Sequence, residues 1–422
     1  MKRVSAAIAV VLLFTGIISA QKVTAVRFGK LWDGEKVING ALVVIRGDRI
    51  ASVTGGNPAP PAGAEVIDWS SYYGLPGMID VHTHITYYWD EKPGTHPQGQ
   101  PPRMPAVNVY LAQANAKKTL EAGVTAVRDL NSPDFEDMAM RDLINMGAMV
   151  GPHIFACGYG LHAAPGNVRP GATPNRNQGS ASTPDEVEQA VRYMVAAGAD
   201  VIKMFGSVGG FENVGTQETF DYDEMKRAVD TAHLFHKKIA IHSYGPEGGR
   251  DAVRAGTDSL EHAVDLDSET ISEMVRKGIY YVPTIYHNRY YVNDAKAGIY
   301  LFHPGAIPRL EDYISRNVAT ARKALQAGVK FAMGSDAVYD MFGQNTRELA
   351  EFVKIGMTPE QALKTATVNA ADLLGQSQNL GWATPGHFAD LVAVDGDPLS
   401  DIEVAIHKVR AVMKGGVIVV KQ

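Results

Sequence analysis

The chain has 422 residues, 45% of them hydrophobic and 20% charged, which excludes a disordered or fibrous chain and supports one large core beside a smaller unit. Net charge is -6 with acids and bases interspersed and no basic run, so a nucleic-acid partner is not indicated and a small soluble substrate is. The single cysteine, Cys157, excludes an intramolecular disulfide.

Residues 1–20 read as a secretory signal peptide. Lys2 and Arg3 precede an apolar segment over 4–18, and Ser19-Ala20 precede polar Gln21. The apolar segment is short for a membrane span, so the expectation is cleavage after Ala20 and a periplasmic or secreted protein with no membrane attachment.

From residue 23 to about 69, β-rich runs alternate with turn residues: VTAVRFGKLWDG, GALVVIRGDRIASVTGG and AEVIDW. Residues 387–420 have the same character, with HFADLVAVDGDP and HKVRAVMKGGVIVV. A small antiparallel unit built from both chain ends follows, with parts at 21–75 and 385–422.

Residues 74–86, GLPGMIDVHTHIT, begin the middle of the chain. The Pro76-Gly77 breaker precedes an apolar run, and strand alternation puts Asp80, His82 and His84 on one face. Two imidazoles on one wall can share a metal ion; taken alone, a pair of satisfied histidines is an equally open reading.

Beyond this stretch, strand and helix patterns alternate. Strands are expected at 78–85, 124–130, 153–157, 200–206, 238–243, 259–263, 279–285 and 330–336, several of them entered from a helix that stops on glycine, as at Gly198, Gly256 and Gly328. Eight such units over 76–384 make a (β/α)8 barrel, an α/β fold. The segments that follow strands are long: 87–105, 158–183, 207–220 and the aromatic loop 286–308. Barrel enzymes place their sites on that face.

Polar residues recur at the strand ends. Lys203 lies in VIKMFG with Val201 and Phe205, His242 in AIHSYG with Ala240 and Tyr244, His262 in SLEHA with Leu260 and opposite Glu261, and Asp336 in MGSDA with Ala332 and Gly334. A bare ammonium in an apolar strand is costly and would repel a metal held by neighbouring histidines. Desolvation favours the neutral amine, which can take up carbon dioxide as a carbamate; a snorkelling lysine is the bland alternative.

At this point the chain resembles the amidohydrolase superfamily, in its binuclear branch with a carboxylated lysine. The resemblance rests on His82-Thr83-His84, Lys203, His242, His262 and Asp336, and extends to the flanks VRFGKLWDG, GDRIASV and TPGHFADLVAVDGDPLSDI, which are similar to that family's β-sandwich domain. It implies one metal ion on His82, His84 and Asp336 and a second on His242 and His262, with carboxylated Lys203 bridging. Zinc is the usual ion, with manganese, cobalt and iron left open. It further implies a bridging water acidified toward hydroxide, and Asp336 carrying its proton to the leaving amine.

HSYGPEG and AGTDSLEH are most similar to imidazolonepropionase-like enzymes, Xaa-Pro and related dipeptidases, and ochratoxin-type amidases. The resemblance therefore implies hydrolysis of an amide bond, often beside a carboxylate. Tyr244 is a candidate for the substrate carboxylate or oxyanion, and His162 for the substrate carbonyl. Arg169, Arg176, Arg289 and His287 are weaker candidates for a carboxylate, and Asp129 a supporting or structural one. A deaminase would use a glutamate shortly after the fifth-strand histidine, but Glu247 lies five residues on, beyond a Gly-Pro turn. A cyclic-amide hydrolase, lactonase, phosphotriesterase or inactive metal-binding protein on the same centre stays open, as does a homo-oligomer.

Overall fold

Both chain ends enter one sheet. The computed structural model describes residues 23–92, 101, 103–163, 178–209, 214–299 and 305–421; the expected signal segment over 1–20, Arg169 and Arg176 lie outside them. Strands β1 (Val23–Trp32), β2 (Val37–Arg46), β3 (Arg49–Thr54) and β4 (Glu65–Pro76) come from the N-terminal part.

The barrel follows with β5 (Met78–Thr83), β6 (Val124–Asp129), β7 (His153–Ala156), β8 (Val201–Phe205), β9 (Lys238–Ser243), β10 (Ser259–His262), β11 (Tyr280–Val282) and β12 (Lys330–Phe331). The C-terminal part adds β13 (Leu391–Val394), β14 (Val409–Lys414) and β15 (Val417–Lys421).

The end sheet has the order β15-β14-β13-β4-β1-β2-β3. It is not wholly antiparallel: β1 and β4 run parallel. The β2–β3 hairpin occupies one edge of β1, so the chain crosses back and enters the other edge in the direction of β1. Val26, Phe28, Val43 and Ile50 share a core with Leu391, Ala411 and Met413 from the far end of the sheet, which therefore folds over on itself. Gly74 is needed inside this core, because a Cβ there would lie 2.7 Å from both Leu31 Cδ1 and Phe28 Cδ1.

β4 pairs with β13 up to Pro76↔Leu391, and after Gly77 the chain starts β5. Within the barrel, β5, β6 and β7 pair in parallel, as do β8 to β12. Two seams close the ring. Asp200 N donates to Ala156 O at 2.8 Å between β7 and β8, and Val81 N to Met333 O at 2.9 Å between β5 and the segment after β12. The fold is a (β/α)8 barrel with a smaller sheet of both chain ends.

The connecting helices carry local stop and start signals. Gly198 and Gly328 end theirs in the left-handed region (φ 103° and 85°), which glycine adopts without strain. Asp221 and Glu224 form a reciprocal cap on the helix Tyr222–Leu234. Among the described residues, no helix is long and apolar enough to cross a membrane.

Most barrel strands end one or two residues short of expectation, and two, β11 and β12, are several residues shorter. Pro283, which lacks a donor, and Thr284, at φ 48°, end β11, and Asp336, at φ 54°, bends the chain after β12. The aromatic loop expected at 286–308 is in large part the helix Ile285–Lys296. Its first two amides are capped by Glu348, at 2.9 Å from Ile285 N and 2.7 Å from Tyr286 N. A cap supplied from so far along the chain leaves no local signature.

Candidate metal centre

The barrel brings the six expected donor residues to one cavity of about 180 Å³ at the C-terminal ends of its strands. His82 ends β5, and His84 follows within two residues. Asp336 is drawn to them by its backbone, whose N–H donates to His82 O at 2.7 Å. Its Oδ1 lies 3.0 Å from His84 Nε2 and 3.4 Å from His82 Nε2. Gly334 permits the approach, since a Cβ there would stand 2.7 Å from His82 Cβ and 2.5 Å from Val282 Cγ1. Asp80 fixes the same segment by accepting from Ser335 N at 2.9 Å, Ser335 Oγ at 2.5 Å and Asn345 Nδ2 at 2.9 Å.

The other imidazoles complete the wall. The His262 ring is 4.9 Å from that of His82 and 4.6 Å from that of His242. Lys203 is buried, its Nζ lies 5.0 Å over the Phe205 ring, and neither Lys203 Nζ nor His242 Nε2 has a hydrogen-bond partner among the described residues.

The electrostatics prepare a donor set. Burial pulls Lys203 down to about 8, against the opposing pull of Glu261 and Asp336. Burial and the charge of Lys203 lower His82 to about 4, and burial takes His242 and His262 well below the usual imidazole value. For Asp336, burial favours the neutral acid, but His287 and His82 outweigh it and hold the carboxyl well below its usual range. Neutral imidazoles, an ionised carboxylate and two buried atoms without partners fit a divalent cation. One donor atom each from His82, His262 and Asp336 lie within 4.8 Å of one another.

Tyr244 also lines the cavity, its ring 4.5 Å from that of His242 and stacked on that of His262 at 5.2 Å. His162 does not. It lines an adjoining recess of about 340 Å³ with Ser207 and Thr219, sharing Phe205 and Gly209 with the histidine-lined cavity. Arg289 is turned to Glu351 at 3.1 Å, Asp129 accepts from Ile85 N behind the histidines, and Glu247 is exposed.

His287 is nearer the chemistry than its sequence position suggests. It is buried, lines the cavity, and puts Nε2 3.4 Å from Asp336 Oδ2.

Two residues are absent from the sequence reading of the site. Glu261 Oε2 contacts His82 Nδ1 at 2.7 Å, while its Oε1 accepts from Arg128 Nη2 at 2.8 Å and Ser259 Oγ at 2.5 Å. Burial would raise this carboxyl, but Arg128 and His82 outweigh it and bring it to about 2. Strict alternation sets Glu261 and His262 on opposite faces. His262, however, has φ 72°, so the chain turns at the strand end and both side chains reach the site.

The same chain matches the amidohydrolase family over residues 73–419. It is 30% identical to the ochratoxinase of Aspergillus niger over 431 residues, covering 94% of this chain and 86% of the relative. In structure it is similar to an Xaa-Pro dipeptidase with bound methionine in the active site (TM-score 0.85, 32% identity, 94% of this chain and 99% of the other). It is also similar to the A. niger ochratoxinase structure (TM-score 0.79, 27% identity, 95% and 96%). This chain belongs to the amidohydrolase family and is a hydrolase acting on amide bonds.

Proposed function

We propose that the protein is an exported binuclear metal hydrolase that cleaves a small carboxylate-bearing amide, a dipeptide or an N-acyl amino acid. The observation that carries this reading is Lys203, whose buried Nζ has no partner among the described residues and which lines one cavity with five histidines and Asp336. An amine left partly neutral by desolvation attacks carbon dioxide, forms the N–C bond and loses a proton, becoming an anion suited to cationic ligands.

On this reading His82, His84 and Asp336 would hold one ion and His242 and His262 the second, with carboxylated Lys203 as a shared anionic ligand and zinc the expected metal. When bound, the ions acidify water and polarise the scissile carbonyl. The chain's own groups do the rest. Asp336 accepts the proton of the attacking water and delivers it to the departing nitrogen. Tyr244 presents its hydroxyl to the substrate carboxylate or the developing oxyanion. His162 is assigned to a substrate group in its recess beyond the scissile bond, because it does not line the cavity. The cleaved bond and the carboxylate are suggested by the names of the similar proteins, and export by residues 1–20. Glu247 is exposed, which disfavours a deaminase.

The test is a panel of dipeptides, N-acyl amino acids, lactones and phosphotriesters, run with metal analysis on the protein lacking residues 1–20. Hydrolysis of at least one C-terminal amide is expected. Bound metal without amide turnover, or turnover of lactones or phosphotriesters alone, would overturn the reading.

A further inference from the structure

The imidazoles that face the cavity are not supported alike. His84 Nδ1 lies 3.4 Å from the Asn131 carbonyl, and His262 Nδ1 lies 2.6 Å from the Thr284 hydroxyl. His82 Nδ1 alone of these three meets a carboxylate, Glu261, at 2.7 Å. That carboxylate is fully buried and its second oxygen is occupied by Arg128 and Ser259. Arg128, also fully buried, donates further to Ser259 Oγ at 3.0 Å and to the Val81 carbonyl. The unit therefore ties together β5, β6 and β10, three strands that bound the cavity.

We propose that Glu261, held by Arg128 and Ser259, fixes the ring orientation and tautomer of His82 and strengthens the ion that His82 ligates, so that the two metal ions are bound unequally. The proposal rests on the binuclear reading above. A carboxylate accepting the Nδ1 proton leaves the Nε2 lone pair toward the cavity and makes it a better donor than a carbonyl or hydroxyl partner does. Arg128 and Glu261 are positioning residues, acting on the ion through His82. The rigid seat matters as much as the charge, because Glu261 has no rotamer freedom while both oxygens are engaged.

Two measurements test it. The first is the ring-nitrogen NMR pattern of His82 in metal-free protein with 15N-labelled histidine, assigned by loss of its signals in His82→Gln. The proton is expected on Nδ1; a proton on Nε2 would overturn the orientation half of the proposal.

The second is equilibrium titration with Co²⁺ of the wild type, Glu261→Gln and the double variant Arg128→Met/Glu261→Gln. The double variant removes both charges together and avoids stranding a buried guanidinium, so it keeps the test alive where Glu261→Gln fails to fold. The wild type is expected to take up two ions in two affinity classes. The variants are expected to weaken one class roughly 10- to 100-fold and leave the other unchanged. An equal shift in both classes, or none, would overturn the proposal. Uptake of a single ion by the wild type would contradict the binuclear reading and the inequality with it, and an Nδ1 proton on metal-free His82 would still uphold the orientation.

Discussion

His287 Nε2 lies 3.4 Å from Asp336 Oδ2, on the carboxylate oxygen opposite the one that faces His84 and His82. Asp336 thus has imidazoles against both of its oxygens, and the oxygen free of His82 and His84 is the one that faces His287. His287→Ala is expected to lower kcat about 10- to 100-fold with little change in KM, because the loss falls on proton handling and not on substrate binding. His287→Gln, which keeps a donor near that position, should recover part of it. Steady-state kinetics of the two variants check this, and an unchanged kcat in His287→Ala would remove the residue from the mechanism.

The helix carrying His287 depends on Glu348. Its carboxyl accepts from Ile285 N and Tyr286 N, and burial raises it to about 8 from an ordinary 4.5. Between those two values the folded protein keeps a proton that the unfolded chain has lost, so stability falls as pH rises through this window, by at most about 1.4 kcal/mol per pH unit. Denaturant melts from pH 5 to 9 should show the decline, and Glu348→Gln should flatten it. Glu348→Ala, which orphans two buried amides, should cost about 1–3 kcal/mol at any pH in that range.

For Lys203 the pH effect has the opposite sense. The neutral amine is the nucleophile toward carbon dioxide, and with its pKa lowered to about 8 it is neutral in roughly a tenth of molecules at pH 7, hundreds of times more than an ordinary lysine. Reactivation of metal-stripped protein by added metal, at fixed dissolved carbon dioxide, should therefore quicken about tenfold from pH 6 to pH 7 and level off above 8. A rate independent of both pH and carbon dioxide would argue against a carbamate.

Tyr244 is buried between His242 and His262 with its ring across the cavity wall. Tyr244→Phe keeps the stacking and removes the hydroxyl, so kcat/KM on the preferred amide should fall about 10- to 100-fold at unchanged thermal stability. An unchanged kcat/KM would leave Tyr244 a packing residue.

The strand-end residues were legible because the chemistry is written where a regular period ends. His82, His84 and His242 lie at the ends of apolar runs and Lys203 lies inside one, and a barrel of eight such strands sends its strand ends to one place. What alternation could not reveal lies where the backbone leaves the β region. At His262 the positive φ brings Glu261 into play beside it. His287 falls in the expected loop 286–308, because its helix takes its cap from Glu348, far along the chain, with no capping side chain of its own. The parallel pairing of β1 with β4 was hidden for a similar reason, since β-rich runs and turns record alternation but not the direction in which a strand returns.

Lys203 is the residue on which the proposed binuclear centre turns. Metal content and amide turnover of wild type and Lys203→Ala, measured on the same preparations, test it most directly. About two ions per chain are expected in the wild type, by two-metal logic, with Lys203→Ala losing at least one ion and nearly all activity. Two ions and full activity in Lys203→Ala would contradict it.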